Sequence, residues 1–96
     1  MRTYFLKFSY QTEYGGTRVL IALRDYTAEE ADRIWEFWEG PDNVDAKSFE
    51  VRKSVWGRLE NFVLLDDAEA LTLRTYVTEL CDDEVADNMM NFITAE

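Results

Sequence analysis

The chain has 96 residues, and twenty acids against ten bases leave it a formal net charge of −10, with no histidine and one cysteine. That length fits one domain with a modest core, and a hydrophobic share of 47 % with 15 % aromatics excludes a disordered chain. Without histidine the commonest general base and zinc ligand are missing, one cysteine forms no internal disulfide, and the charge disfavours a direct grip on phosphate backbones or anionic lipid.

No stretch approaches the roughly 20 apolar residues of a membrane span. Met1 to Phe8 lacks the apolar core and cleavage site of a signal peptide. The single Cys81 fits a reducing compartment, so the expected location is cytoplasmic.

Tyr4 to Gln11 alternates, with Tyr4, Leu6, Phe8 and Tyr10 on one face, which predicts a half-buried strand. Glu13 to Thr17 holds Gly15-Gly16 and reads as a hairpin turn. It lacks the strand–loop–helix setting and trailing Lys of a phosphate loop. Arg18 to Asp25 resumes the alternation, with Val19, Ile21 and Leu23 expected inward.

Thr27 followed by Glu30 is a capping-box pattern and predicts a helix over Ala28–Glu39, stopped by Gly40 and Pro41. Ala31, Ile34, Trp35 and Trp38 form its apolar stripe, with Phe37 at the margin. Pro41 to Lys47 is a polar loop. Ser48 to Trp56 predicts an edge strand, with Phe49, Val51 and Val55 on one side and Lys53 as an inward charge. Gly57 is the expected turn, and Leu59 to Leu65 is a strand, with a helical turn as the alternative.

Asp66 as N-cap and Glu69 open a second helix, whose stripe is Ala70, Leu73, Val77 and Leu80. Cys81-Asp82-Asp83 breaks it. The last helix starts among acids and turns Val85, Met89, Phe92 and Ile93 to one side. The order β-β-α-β-β-α-α describes one α+β domain over residues 1–96. Its four-stranded antiparallel sheet carries helices on one face and leaves the other partly open to water.

The acids are not spread evenly. From Glu60 onward there are ten acids and one base, Arg74, so this stretch holds −9 of the −10. Asp66, Asp67 and Glu69 open one helix; Asp82, Asp83, Glu84 and Asp87 open the next. Each is favoured there by the helix dipole, worth about 0.3–1 kcal/mol. Together they also form a negative surface suited to a basic protein, with Glu29, Glu36 and Glu39 of the first helix as a second set. Consecutive acids lack the alternating spacing and mid-loop glycine of a calcium loop, so no metal and no cofactor are expected. A deep cleft with a desolvated carboxyl is not foreseen in so small a domain, so the chain is read as a non-enzyme. Cys81 sits beside Glu79, Asp82 and Asp83, which oppose a thiolate, so it reads as packing.

In being small, acidic, histidine-free and without a catalytic constellation, the chain resembles viral anti-defence proteins of the anti-restriction and anti-CRISPR kinds, some of which mimic nucleic acid. The likeness lies in size and charge and assigns no site. It implies a non-enzymatic inhibitor that masks a basic, nucleic-acid-binding partner. Separately, the crowding of Trp35, Phe37 and Trp38 on one short helix predicts that one of them, or Tyr14 at the hairpin tip, is exposed and adds contacts. The alternative is a small homo-oligomeric structural or assembly module, a homodimer being its simplest form.

Overall fold

The computed structural model describes residues 1–39, 48–76 and 82–95. The predicted helix stop at Gly40-Pro41, the loop to Lys47, and Val77, Leu80 and Cys81 lie outside the described residues. Seven elements run in chain order: β1 (Arg2–Gln11), β2 (Thr17–Tyr26), α1 (Ala28–Glu39), β3 (Ser48–Arg52), β4 (Val55–Leu64), α2 (Asp67–Tyr76) and α3 (Asp83–Thr94). The strands form one antiparallel sheet ordered β2-β1-β4-β3, so the fold is α+β as the alternation predicts.

The first hairpin turns where expected. Gly15 takes a φ of 83°, which glycine adopts without a Cβ clash, and Thr12 N donates to Gly16 O at 2.8 Å. Register then sets the faces. Leu6 lies opposite Ala22 and Phe8 opposite Leu20, so the inward residues of β2 are Leu20, Ala22 and Tyr26. The expectation of Val19, Ile21 and Leu23 is wrong by one residue. The run from Val19 to Leu23 is apolar on both faces, so its pattern alone does not choose a side.

The second hairpin also differs from expectation. It turns at Lys53-Ser54, with Ser54 at a φ of 62° and its N–H donated to Glu50 Oε1 at 2.8 Å. Lys53 is therefore a turn residue and no inward charge. Gly57 lies inside β4 opposite Tyr10 and Phe49, where a Cβ would press on the Ser9 carbonyl oxygen. Its lack of a side chain serves close packing rather than a turn.

The missing alternation of β4 has a cause in the sheet. The β1–β4 register shifts between Lys7 and Phe8, so Glu60 is the extra residue of a bulge. Leu59 and Phe62, three apart, both face the core as a result.

The fully buried core joins Leu6, Phe8, Phe49 and Phe62 of the sheet to Ile34 of α1 and Val85 and Met89 of α3. Tyr4 stacks on Phe62 with centroids 4.6 Å apart, and Trp35 meets that ring edge-on at 4.9 Å. Each such side chain contributes about 1.5–3 kcal/mol by leaving water. Phe92 departs from its predicted place in the stripe: it is 42 % exposed and meets Phe37 at the margin.

Helix α3 crosses the inner face and touches both edge strands. Its leading residue Asp82 donates its N–H to Ile21 O of β2 at 3.0 Å, and Asn88 Nδ2 donates to Val51 O of β3 at 2.8 Å. Helix α2 is fastened differently. Arg74 donates to Asp25 Oδ1 and to Thr3 Oγ1, both at 3.1 Å, at one corner of the sheet. Among the described residues no helix is long and apolar enough to cross a membrane.

Candidate protein-binding surface

The two capping boxes form as the spacing predicts. Thr27 Oγ1 accepts from Glu30 N at 3.2 Å while Glu30 Oε1 accepts from Thr27 N at 3.0 Å. Asp66 Oδ1 accepts from Glu69 N at 2.7 Å, and Glu69 Oε1 accepts from Asp66 N at 3.2 Å. Each exchange satisfies helix donors that otherwise lack partners. The partners of Asp66 and Glu69 here are neutral amides and not cations.

The acids of α3 are arranged differently, around two arginines that sequence reasoning missed. Arg24 Nη2 lies 2.8 Å from Asp87 Oδ1, and Arg24 Nη1 lies 3.6 Å from Asp83. Arg52 pairs with Asp82 and, at 2.9 Å, with Glu84. Asp82 also caps α3 by accepting from Val85 N at 3.1 Å. Four acids are thus answered by two guanidiniums, one on each edge strand, and the cluster holds α3 against the sheet.

The electrostatics of these arginines agree with that role. Burial works against the charge of Arg24, but the hydrogen bond to Asp87 and the neighbouring Tyr26, Asp87 and Asp83 outweigh it and raise its pKa. Arg52 is raised chiefly by its hydrogen bond to the Tyr10 side chain, with Asp82 and Glu84 adding to it. Both cations belong to the inner side of the molecule. A faint signal existed for Arg24, which stands at the inward alternation position of β2; Arg52 directly follows the inward Val51, and the register shift between Glu50 and Arg52 hid it.

The remaining predicted residues separate by partner. Glu29 lies 3.8 Å from Arg33 in a one-turn pair. Glu36, Glu39 and Asp67 are exposed and form no ion pair among the described residues. The structure therefore does not bring all ten acids to one place. It sets those of α3 beside two arginines, with Asp82 shielded and Asp83, Glu84 and Asp87 still exposed, and leaves those of α2 without a cation beside them among the described residues.

Helix α2 buries only Ala70. Leu71 is 69 % exposed and Tyr76 83 %. Between them, Thr72 Oγ1 donates to Ala68 O at 2.9 Å and Thr75 Oγ1 to Leu71 O at 3.0 Å. With their hydroxyls turned back onto the helix, Thr72 and Thr75 present methyl groups outward. The outer side of α2 is an uncharged strip of Ala68, Leu71, Thr72, Thr75 and Tyr76, headed by Asp66, Asp67 and Glu69. In a chain with 31 % charged residues, such an uncharged helix face is unusual.

Other features offer less chemistry. A groove of about 540 Å³ between the C-terminal turns of α1 and α3 is lined, among the described residues, by Phe37, Phe92 and Ile93 with Glu36 and Arg33. Among the described residues no group of three or more His, Cys, Asp or Glu is placed to hold a metal ion. The buried Tyr26 hydroxyl has no hydrogen-bond partner among the described residues, and burial pushes its pKa up to about 12 against the opposing effect of Arg24.

The chain matches no protein-family model, no curated protein and no solved structure.

Proposed function

We propose that this chain is a non-enzymatic acidic binding protein that masks a basic partner, one that itself binds nucleic acid. The observation that carries the reading is α2, an uncharged outward strip headed by three acids on a helix with one buried residue. Carboxylates steer a basic partner at long range and lose strength with salt. Leu71 and Tyr76 supply the desolvated contacts that slow dissociation. In its most concrete form the protein is a phage-borne inhibitor of a bacterial defence complex, its acids standing where nucleic-acid phosphates would bind.

Affinity capture tests this reading. The immobilised full chain is exposed to a bacterial lysate and eluted with rising salt, and the eluate is identified by mass spectrometry. The expected result is one nucleic-acid-binding complex that salt releases and added DNA or RNA displaces. Recovery of the chain alone, or of a complex indifferent to both salt and nucleic acid, would overturn the proposal.

A further inference from the structure

The sheet face turned away from α1 and α3 is a second surface of different character. Register places Phe5, Val19, Ile21, Leu23, Val63 and Trp56 on it. Val19 is 49 % exposed, Val63 45 % and Trp56 59 %. Its strands carry Lys7 and Arg58 against Asp25, Glu50 and Glu60, and Arg74 of α2 reaches over one corner to Asp25 and Thr3, which makes three of each sign. This face is therefore neutral, and the rest of the chain carries the entire −10.

We infer that this face binds a second copy of the chain, sheet against sheet. A basic partner finds no net charge to answer here. A second copy does find complementarity, because a two-fold interface must match itself. Lys7 and Arg58 stand beside Glu60, with Arg58 Nε 2.8 Å from Glu60 Oε1, so both signs are present along one row. In such a pair α1 and α3, with their acids, lie on the outer sides. Two stacked sheets about 10 Å apart then separate them by more than the screening length of about 8 Å.

The area is of the size such a contact needs. Thirty-five residues lie in the four strands. At about 3.3 Å rise and about 4.8 Å spacing they cover roughly 550 Å². Two copies bury at most roughly 1,100 Å², less the corner at Thr3 and Asp25 that α2 takes, close to the ~1,000 Å² that marks a specific interface. Strand-to-strand addition is the less favourable route, because α3 already engages Ile21 O on one edge and Val51 O on the other.

Sedimentation equilibrium of the full chain tests the inference. The expected result is a concentration-dependent rise from 11.3 kDa to twice that mass, retained in 0.5 M salt because the contact is apolar. Val63→Lys with Trp56→Glu should raise the dimer Kd tenfold or more, while Asp67→Lys on α2 leaves it unchanged. Far-UV circular dichroism checks that each variant folds. Dilution of the wild type followed by amide NMR gives a reading that needs no substitution: shifts should move on β1, β2 and β4 and stay fixed on α1. A wild type that sediments at 11.3 kDa up to several hundred micromolar would overturn the inference. So would a folded double variant that dimerises like the parent, or amide shifts confined to α1. None of these outcomes depends on whether a foreign partner is captured.

Discussion

Replacing Arg52 with methionine tests whether the acids of α3 belong to the fold or to the surface. The change removes the guanidinium from Tyr10, Asp82 and Glu84 and keeps a stem of similar length. The head of Arg52 is 35 % exposed, Asp82 16 % and Glu84 64 %. The better shielded Asp82 pair is worth about 1–1.5 kcal/mol, and the Glu84 pair about 0.5 kcal/mol after screening. Arg52→Met should therefore cost roughly 1.5–2 kcal/mol, or a Tm about 10 °C lower for a domain of this size. Urea unfolding followed by tryptophan fluorescence measures it. In 1 M salt the gap should narrow but persist, because Asp82 is the more protected partner. A cost under about 0.3 kcal/mol would refute the reasoning. The pairing with Arg52 would then add nothing to the fold, and Glu84 with the rest of the exposed α3 acids would return as a candidate contact.

Two further outcomes follow from the sheet. Gly57→Ala places a Cβ against the Ser9 carbonyl and 2.8 Å from Tyr10 Cβ, and should destabilise by about 1–3 kcal/mol as overpacking does; a thermal melt matching the parent would contradict the close approach. The Ser9 hydroxyl first, then Arg58, hold the Glu60 carboxyl below its ordinary pKa. Because the folded value is the lower one, Glu60 stabilises the fold above the ordinary carboxylate range. That contribution is lost as pH falls through the folded value. Ser9→Ala should move the Glu60 titration upward in carboxyl NMR, and an unmoved midpoint would count against the hydrogen bond.

Much of this fold was legible in the residues because local chemistry matches the global structure. Both capping boxes, the Gly15 turn and the alternation of β1 each point to one answer. What failed to show was non-local. The inward face of β2 depends on pairing with β1, since both its faces are apolar. The place of Gly57 depends on Ser9 and Tyr10, far away in sequence. Ser54 takes the left-handed turn position that glycine is expected to fill, helped by Glu50 four residues before it. Of the candidate site, the clustering of acids was visible, but the division between inward and outward acids was not. Arg24 is 63 residues from Asp87 and Arg52 is 30 from Asp82, so only the folded chain shows which carboxylates have an arginine beside them.

The central claim is that α2, and not the start of α3, presents the contact surface. Its most direct test is parallel capture from one lysate with two baits, the wild type and the folded triple variant Asp67→Lys, Leu71→Ser, Tyr76→Ser. These positions leave the Asp66–Glu69 box and the Arg74 anchor intact. The account predicts at least a tenfold loss of the captured partner on the variant, about 1.4 kcal/mol or more. Equal retention on both baits would contradict it.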